Sequence, residues 1–247
     1  MRELGTAHNS AYTNNRIRAN VIRYMKIKFL IKTIFSTLIF SAILFLCAGK
    51  IEYFQGWIFL TTNLIAALIN YWAIRNDAEL MAERSKIGEG AKSWDKLILA
   101  LSGLTYLAVI AVAGFDSGRY QWSPNFHWSI YVLGFALTLI GQVIFLKARK
   151  ENKFFSSVVR IQTDRGHKVC DTGIYKIVRH PGYSGMAISL AALPLITGSV
   201  WSIIPTSIAI ILIIVRTYLE DETLKKELTG YAEYTQKTKK RLIPKIW

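Results

Sequence analysis

The 247-residue chain is 52% hydrophobic and only 19% charged, with a positive mean hydropathy. Soluble domains run near a quarter charged, so this balance argues against an ordinary soluble domain and for a membrane protein. The net charge of +15 does not point to nucleic acid, because the basic residues cluster in gaps between apolar runs, as on a face turned to anionic lipid, and no nucleic-acid reading motif occurs.

Residues 1–26 are polar, carry Arg2, Arg16, Arg18, Arg23 and Lys26, and lack both an apolar core and a signal-peptide pattern. A cytoplasmic, partly disordered arm is expected there. Four apolar segments follow, near Phe29–Ala48, Phe54–Ile74, Leu97–Phe115 and Trp128–Leu146. Each is close to the roughly 20 residues that carry a helix across a hydrocarbon core. Residues 27–147 therefore read as a four-helix transmembrane region. Two more apolar runs, Tyr183–Thr197 and Val200–Leu219, are separated only by Gly198 and Ser199, the spacing of a helical hairpin. Tryptophans at segment ends (Trp57, Trp72, Trp94, Trp122, Trp128, Trp201) fit an interfacial belt.

Charge in the gaps orients these segments. Seven Lys or Arg lie in the first 32 residues, five between Arg75 and Lys96, nine between Lys147 and Arg179, and seven between Lys225 and Lys245. The intervening gaps hold Lys50, Arg119 and none. This alternation predicts an all-α polytopic protein of about six spans, both termini cytoplasmic. Residues 148–247 then form a C-terminal region whose polar parts share the cytoplasmic face. Only Cys47 and Cys170 carry thiols, and His8, His127, His167 and His180 lack zinc-site spacing, so no disulfide and no metal are expected.

Between the fourth and fifth apolar runs lies Gly166–Gly185, a stretch with two histidines, two tyrosines, four glycines and Pro181. Glycine and proline forbid a plain helix through it, and an irregular polar segment between membrane runs suits a ligand site. Arg216 and Glu220, four apart, project from one side of the last apolar helix, where charges are costly unless paired or hydrated. The hairpin returns them to the same face as His167, His180 and Tyr183. Tyr231, Tyr234 and Arg241-Leu-Ile-Pro244 read equally as a lid or as a tail packed on the membrane surface.

The pattern Gly-His-x-Val-x-x-Thr-Gly-Ile-Tyr-x-x-Val-Arg-His-Pro-x-Tyr-x-Gly, followed by Arg216-x-x-x-Glu220-x-x-x-Leu224 and Gly230-Tyr-Ala-Glu-Tyr234, closely resembles the isoprenylcysteine carboxyl methyltransferase family, itself related to phospholipid N-methyltransferases. The resemblance covers roughly residues 140–247. It implies a membrane enzyme that binds S-adenosylmethionine in a cytoplasmic pocket without a Rossmann domain, and no Gly-x-Gly-x-x-Gly occurs in the chain. Carried over by position, it implies cofactor contacts at His167, Lys168, Val169, Cys170, Tyr175, His180, Pro181, Gly182, Tyr183 and Glu220. Arg216 matches the residue that handles the acceptor. Gln162 matches a pocket-edge glutamine, at a spacing to His167 two residues shorter than the family's. One extra residue between Glu220 and Tyr234 leaves the cofactor carboxylate open between Glu220 and Glu222.

The chemistry suits these residues. A carboxylate pairs with the cofactor's ammonium by a charge-assisted hydrogen bond, and Tyr175 and Tyr183 offer aromatic faces to adenine or to the sulfonium. Methyl transfer needs alignment more than an acid or base. The implied acceptor is a lipid or prenylated substrate in the membrane, with O-methylation of an isoprenylcysteine carboxylate favoured. Alternatives are a phospholipid or small-thiol methyltransferase and a membrane NADPH-dependent sterol-type reductase.

Overall fold

A computed structural model describes residues 2–75 and 90–247. Arg84 and Lys86, part of the charge alternation, lie outside them. Every regular element among the described residues is helical. In chain order these are α1 (Arg2–Ala48), α2 (Phe54–Ile74), α3 (Ser93–Ala113, continued by a π-helical turn at Gly114–Tyr120), α4 (Trp128–Glu151), α5 (Pro181–Ala191), α6 (Leu193–Thr197), α7 (Ile203–Glu227) and α8 (Tyr231–Lys237).

Two expectations change. Residues 2–26 of the arm are helical backbone, the N-terminal part of α1, rather than a disordered segment. It contains no proline, and a helix nucleated in an apolar span propagates outward at little cost per residue. The run Tyr183–Thr197 is not one continuous span. It falls within α5 and α6, of 11 and 5 residues, which meet at Ala192. Pro194 has no N–H to donate and disfavours helical geometry at the residue before it, and Gly198 ends α6 in left-handed backbone (φ 65°). Among the described residues, four helices are long and apolar enough to cross a membrane: Lys26–Ala48, Ser93–Tyr120, Trp128–Glu151 and Ile203–Glu227. Large apolar side chains such as Phe35, Leu104, Val132 and Ile211 remain exposed on them, as suits lipid-facing surfaces.

Two buried clusters organise the interior. Leu44, Tyr53, Phe59, Val109, Ile110 and Ile196 draw α1, α2, α3 and α6 together. Ala148, Tyr175, Leu228, Tyr231 and Tyr234 join the end of α4 to the polar segment and α8. Helices α4 and α5 approach each other closely: a Cβ on Gly185 would stand 2.5 Å from the Gly141 carbonyl oxygen. Small residues at such crossings let membrane helices approach backbone to backbone.

The turn into α7 is fixed by Asp116, fully buried in the π-helical turn. Its carboxylate accepts from the Ser123 amide (2.8 Å), the Ser123 hydroxyl (2.6 Å), the Ser199 hydroxyl (2.6 Å) and the Trp201 amide (3.2 Å). These bonds tie the α6–α7 turn to the end of α3, which sets where α7 presents its far end.

Candidate active site

The polar segment after α4 is built from short turns. A 3₁₀ turn at Thr163–Arg165 ends at Gly166 (φ 61°), and a second, Gly173–Lys176, starts at Gly173 (φ 52°). Pro181 then opens α5 with His180 before it, the position where a missing N–H costs nothing. The C-terminal tail runs alongside: Arg179 N–H donates to the Lys240 carbonyl and His180 N–H to the Arg241 carbonyl, each at 2.9 Å.

This segment, the chain from Phe154 to Arg160, and α7 enclose a cavity of about 300 Å³, within the range of small-molecule sites. Gln162, His167, Lys168, Val169, Cys170, Tyr175, His180, Gly182, Tyr183, Arg216 and Glu220 all line it. Pro181 is buried in the first turn of α5 and is not among the lining residues. Glu222 is not among them either, and pairs instead with Lys225 (2.8 Å) and Arg241 (3.4 Å). The apolar part of the wall includes Leu99 of α3, Phe145 of α4 and Met186 of α5.

Several predicted residues have their polar atoms committed to the protein. The Gln162 side-chain amide donates to the Phe154 carbonyl (2.6 Å) and accepts from Arg165 (2.7 Å). His167 Nδ1 accepts from the Gln162 amide at 3.3 Å, and its ring lies 4.6 Å from that of Phe154. Burial first, then the Arg160 and Arg165 charges, push its pKa down to about 4, so it is neutral at pH 7. Burial likewise raises the Cys170 thiol, which keeps it protonated. Tyr175 donates to the Ala148 carbonyl (3.2 Å) and accepts at its own carbonyl from Tyr234 (2.6 Å).

On α7 the carboxylates divide. Glu220 accepts from the Tyr183 hydroxyl at 2.5 Å and faces the cavity. Asp221, fully buried, is the hub of the tail: it accepts from Arg179, Arg241, Tyr231 (2.9 Å) and His180 Nε2 (3.1 Å). His180 is therefore held as a strut whose ring stacks on Tyr183, centroids 5.9 Å apart. Arg216 is paired as well. Its Nε donates to Asp95 Oδ1 (2.8 Å), its Nη2 to Asp95 Oδ2 (3.3 Å) and to the Ser157 carbonyl (3.0 Å), with Tyr183's ring 5.3 Å from its Cζ.

Asp95, Arg179 and Asp221 were thus missed as partners. Asp221 sits in a Glu-Asp-Glu run whose members differ only by helix phase, and the tail it faces has no readable periodicity. Asp95 left one signal: Arg216 at the end of a membrane helix needs a counter-charge, and an acid opens the third span.

The comparisons with known proteins fall on the same region. The model of the family described as phospholipid methyltransferase matches residues 129–229, from the start of α4 to just past α7. Two rice proteins, from the indica and japonica subspecies, each named "Probable protein-S-isoprenylcysteine O-methyltransferase", are 36% identical over 63 residues, 25% of this chain and 33% of their own length. The Arabidopsis thaliana "Protein-S-isoprenylcysteine O-methyltransferase B" is 28% identical over 149 residues, 57% of this chain and 69% of its own. The match thus spans about a third of the length of the rice relatives. The resemblance to the isoprenylcysteine carboxyl methyltransferase family and its phospholipid methyltransferase kin, read from the motifs, is borne out by this family match and by these relatives.

Proposed function

We propose that the chain is an integral-membrane methyltransferase that uses S-adenosylmethionine and acts on a membrane-held acceptor, an isoprenylcysteine carboxylate being favoured. The observation that carries this is one cavity that gathers the motif residues from 162–183 and from α7, with Glu220 and the rings of Tyr175 and Tyr183 on its wall. The donor set fits the cofactor: a carboxylate for its ammonium, aromatic faces for adenine and sulfonium, and Gly182 backbone where a Cβ would meet the Phe155 ring at 2.8 Å. Glu220, Tyr175 and Tyr183 would hold S-adenosylmethionine there, and it would supply an activated methyl to an acceptor oxygen. The protein's part is to align the partners and exclude water. Tyr183 holds Glu220 in place, and Arg216 holds the anionic acceptor.

In this reading, α2 and the α5–α6 pair lie in the membrane with the four longer helices, giving six membrane segments. The cavity and both termini then face the cytoplasm, as the charge alternation favours. A lipid amine is a second acceptor class, favoured by the phospholipid methyltransferase family match.

Calorimetry in detergent is the test, with S-adenosylmethionine expected to bind. Absence of binding, with NADPH bound instead, selects the reductase reading. Labelled-methyl transfer to a farnesylated N-acetylcysteine and to phosphatidylethanolamine then separates the acceptor classes.

A further inference from the structure

Arg216 reaches the cavity, yet most of its guanidinium is already engaged. Nε and Nη2 are taken by Asp95 and by the Ser157 carbonyl, while Nη1 carries no hydrogen bond among the described residues. The side chain is nearly buried and lines the cavity, so Nη1 is the donor left for a ligand. What fixes the direction of that donor is the group on the other edge of the fork.

That group is unusually well set. Asp95 is the third residue of α3, in the first turn, where the helix dipole favours a carboxylate, and it is fully buried. Its Oδ2 also accepts from the Val159 amide at 2.8 Å, and the Val159 carbonyl accepts from the Lys92 amide at 3.2 Å. The carboxylate thereby joins three parts of the site: the start of α3, the cavity-lining segment Ser157–Val159, and α7. A bidentate carboxylate fixes a guanidinium in plane as well as in place. Asp95 lies outside the residues matched by the family model and is not itself among the cavity-lining residues, to which α3 contributes Leu99, so it acts on the cavity through Arg216.

We propose that Asp95 is the positioning residue for Arg216: it holds the guanidinium so that Nη1 meets an anionic oxygen of the acceptor, while the cofactor half of the cavity is independent of it. The proposal rests on the methyltransferase reading above. A role in holding helices together alone predicts lost stability. A positioning role predicts in addition a defect confined to the acceptor.

The test uses the full chain in detergent, as wild type, Asp95→Asn, Asp95→Glu and Arg216→Lys, with calorimetry for S-adenosylmethionine and initial rates with farnesylated N-acetylcysteine. Asp95→Asn is expected to bind S-adenosylmethionine within about twofold of wild type, with kcat/KM for the acceptor lowered about 10- to 100-fold, the scale of a 1 Å misplacement. The loss with Asp95→Asn and Arg216→Lys combined is expected to fall well short of the product of the two single losses. If Asp95→Asn does not fold, Asp95→Glu, which keeps the charge but moves it by one methylene, carries the same expectation. Unchanged acceptor kinetics in a folded variant, or losses that multiply independently, overturn the role of Asp95 alone. A wild type that binds no S-adenosylmethionine overturns the methyltransferase reading. A wild type that binds it but leaves this acceptor unmethylated overturns the carboxylate reading and the role of Asp95 with it.

Discussion

Arg179 holds Asp221 with two edges of one guanidinium, Nε to Oδ1 at 2.7 Å and Nη2 to Oδ2 at 2.8 Å, and adds a third bond from Nη1 to the Thr238 carbonyl at 2.8 Å. One side chain therefore fastens the entry to α5, the last turns of α7 and the end of α8. Both ionic partners are nearly or fully withdrawn from solvent. Removing one partner of such a pair leaves the other charge buried and uncompensated.

Asp221→Asn is accordingly expected to lower stability by about 3–5 kcal/mol, since the buried Arg179 loses its counter-charge and Arg241 keeps only Glu222. Denaturant unfolding in detergent measures it. A loss under about 1 kcal/mol, the scale of an exposed pair, would show that the tail is not held through Asp221.

Glu220 and Glu222 give the sharpest contrast within one helix. Glu220 lines the cavity and Glu222 is turned to Lys225 and Arg241. Charge-assisted hydrogen bonds contribute about 1.5–3 kcal/mol, so Glu220→Gln is expected to weaken S-adenosylmethionine binding by about 10- to 150-fold. Glu222→Gln is expected to leave it within about threefold. The reverse order, read by calorimetry, reassigns the cofactor carboxylate to Glu222.

How much of this was legible in the sequence follows from which forces are local. Spans such as Trp128–Glu151 are written in contiguous hydropathy, and the turns at Gly166 and Pro181 are written in residues with special backbone needs. The motif part of the cavity lining could be anticipated because it falls in one short stretch plus two helix positions, whereas Leu99, Phe145 and the chain from Phe154 to Arg160 line it without any such signal. The partners could not. Asp95 meets Arg216 across 121 positions and Arg179 meets Asp221 across 42, and helical phase alone does not say which acid faces which base. Nor did the polar composition of the N-terminal arm reveal the helix that continues α1 through it.

Gly185 tests the frame rather than the site. A Cβ there would stand 2.5 Å from the Gly141 carbonyl oxygen and 2.8 Å from the Phe145 amide, both on α4. Backbone cannot yield as a flexible side chain can, so α4 and α5 must part. Gly185→Ala is expected to cost about 1–3 kcal/mol, the range of overpacked interiors. Gly103, with nothing within 4 Å of a built Cβ, is the control, and Gly103→Ala should not destabilise. Equal unfolding midpoints for the two variants would contradict the close α4–α5 approach.

His167 predicts a pH effect whose sign follows from its neutral state. Burial and the neighbouring arginines push its folded pKa from 6.5 down to about 4, so between those values the unfolded chain binds a proton that the folded chain refuses. Stability therefore falls as pH drops from about 6.5 to about 4 and levels off below that. Protonation would also oppose the bond from the Gln162 amide, which needs Nδ1 as an acceptor. Carboxylates titrate in the lower part of this window, so the readout is a difference. Denaturation midpoints of wild type and His167→Gln are measured at pH 7.5, 6 and 5, and the wild type is expected to lose more stability across that series. Parallel pH profiles for the two proteins would mean that His167 accepts its proton in the folded chain as readily as in the unfolded one.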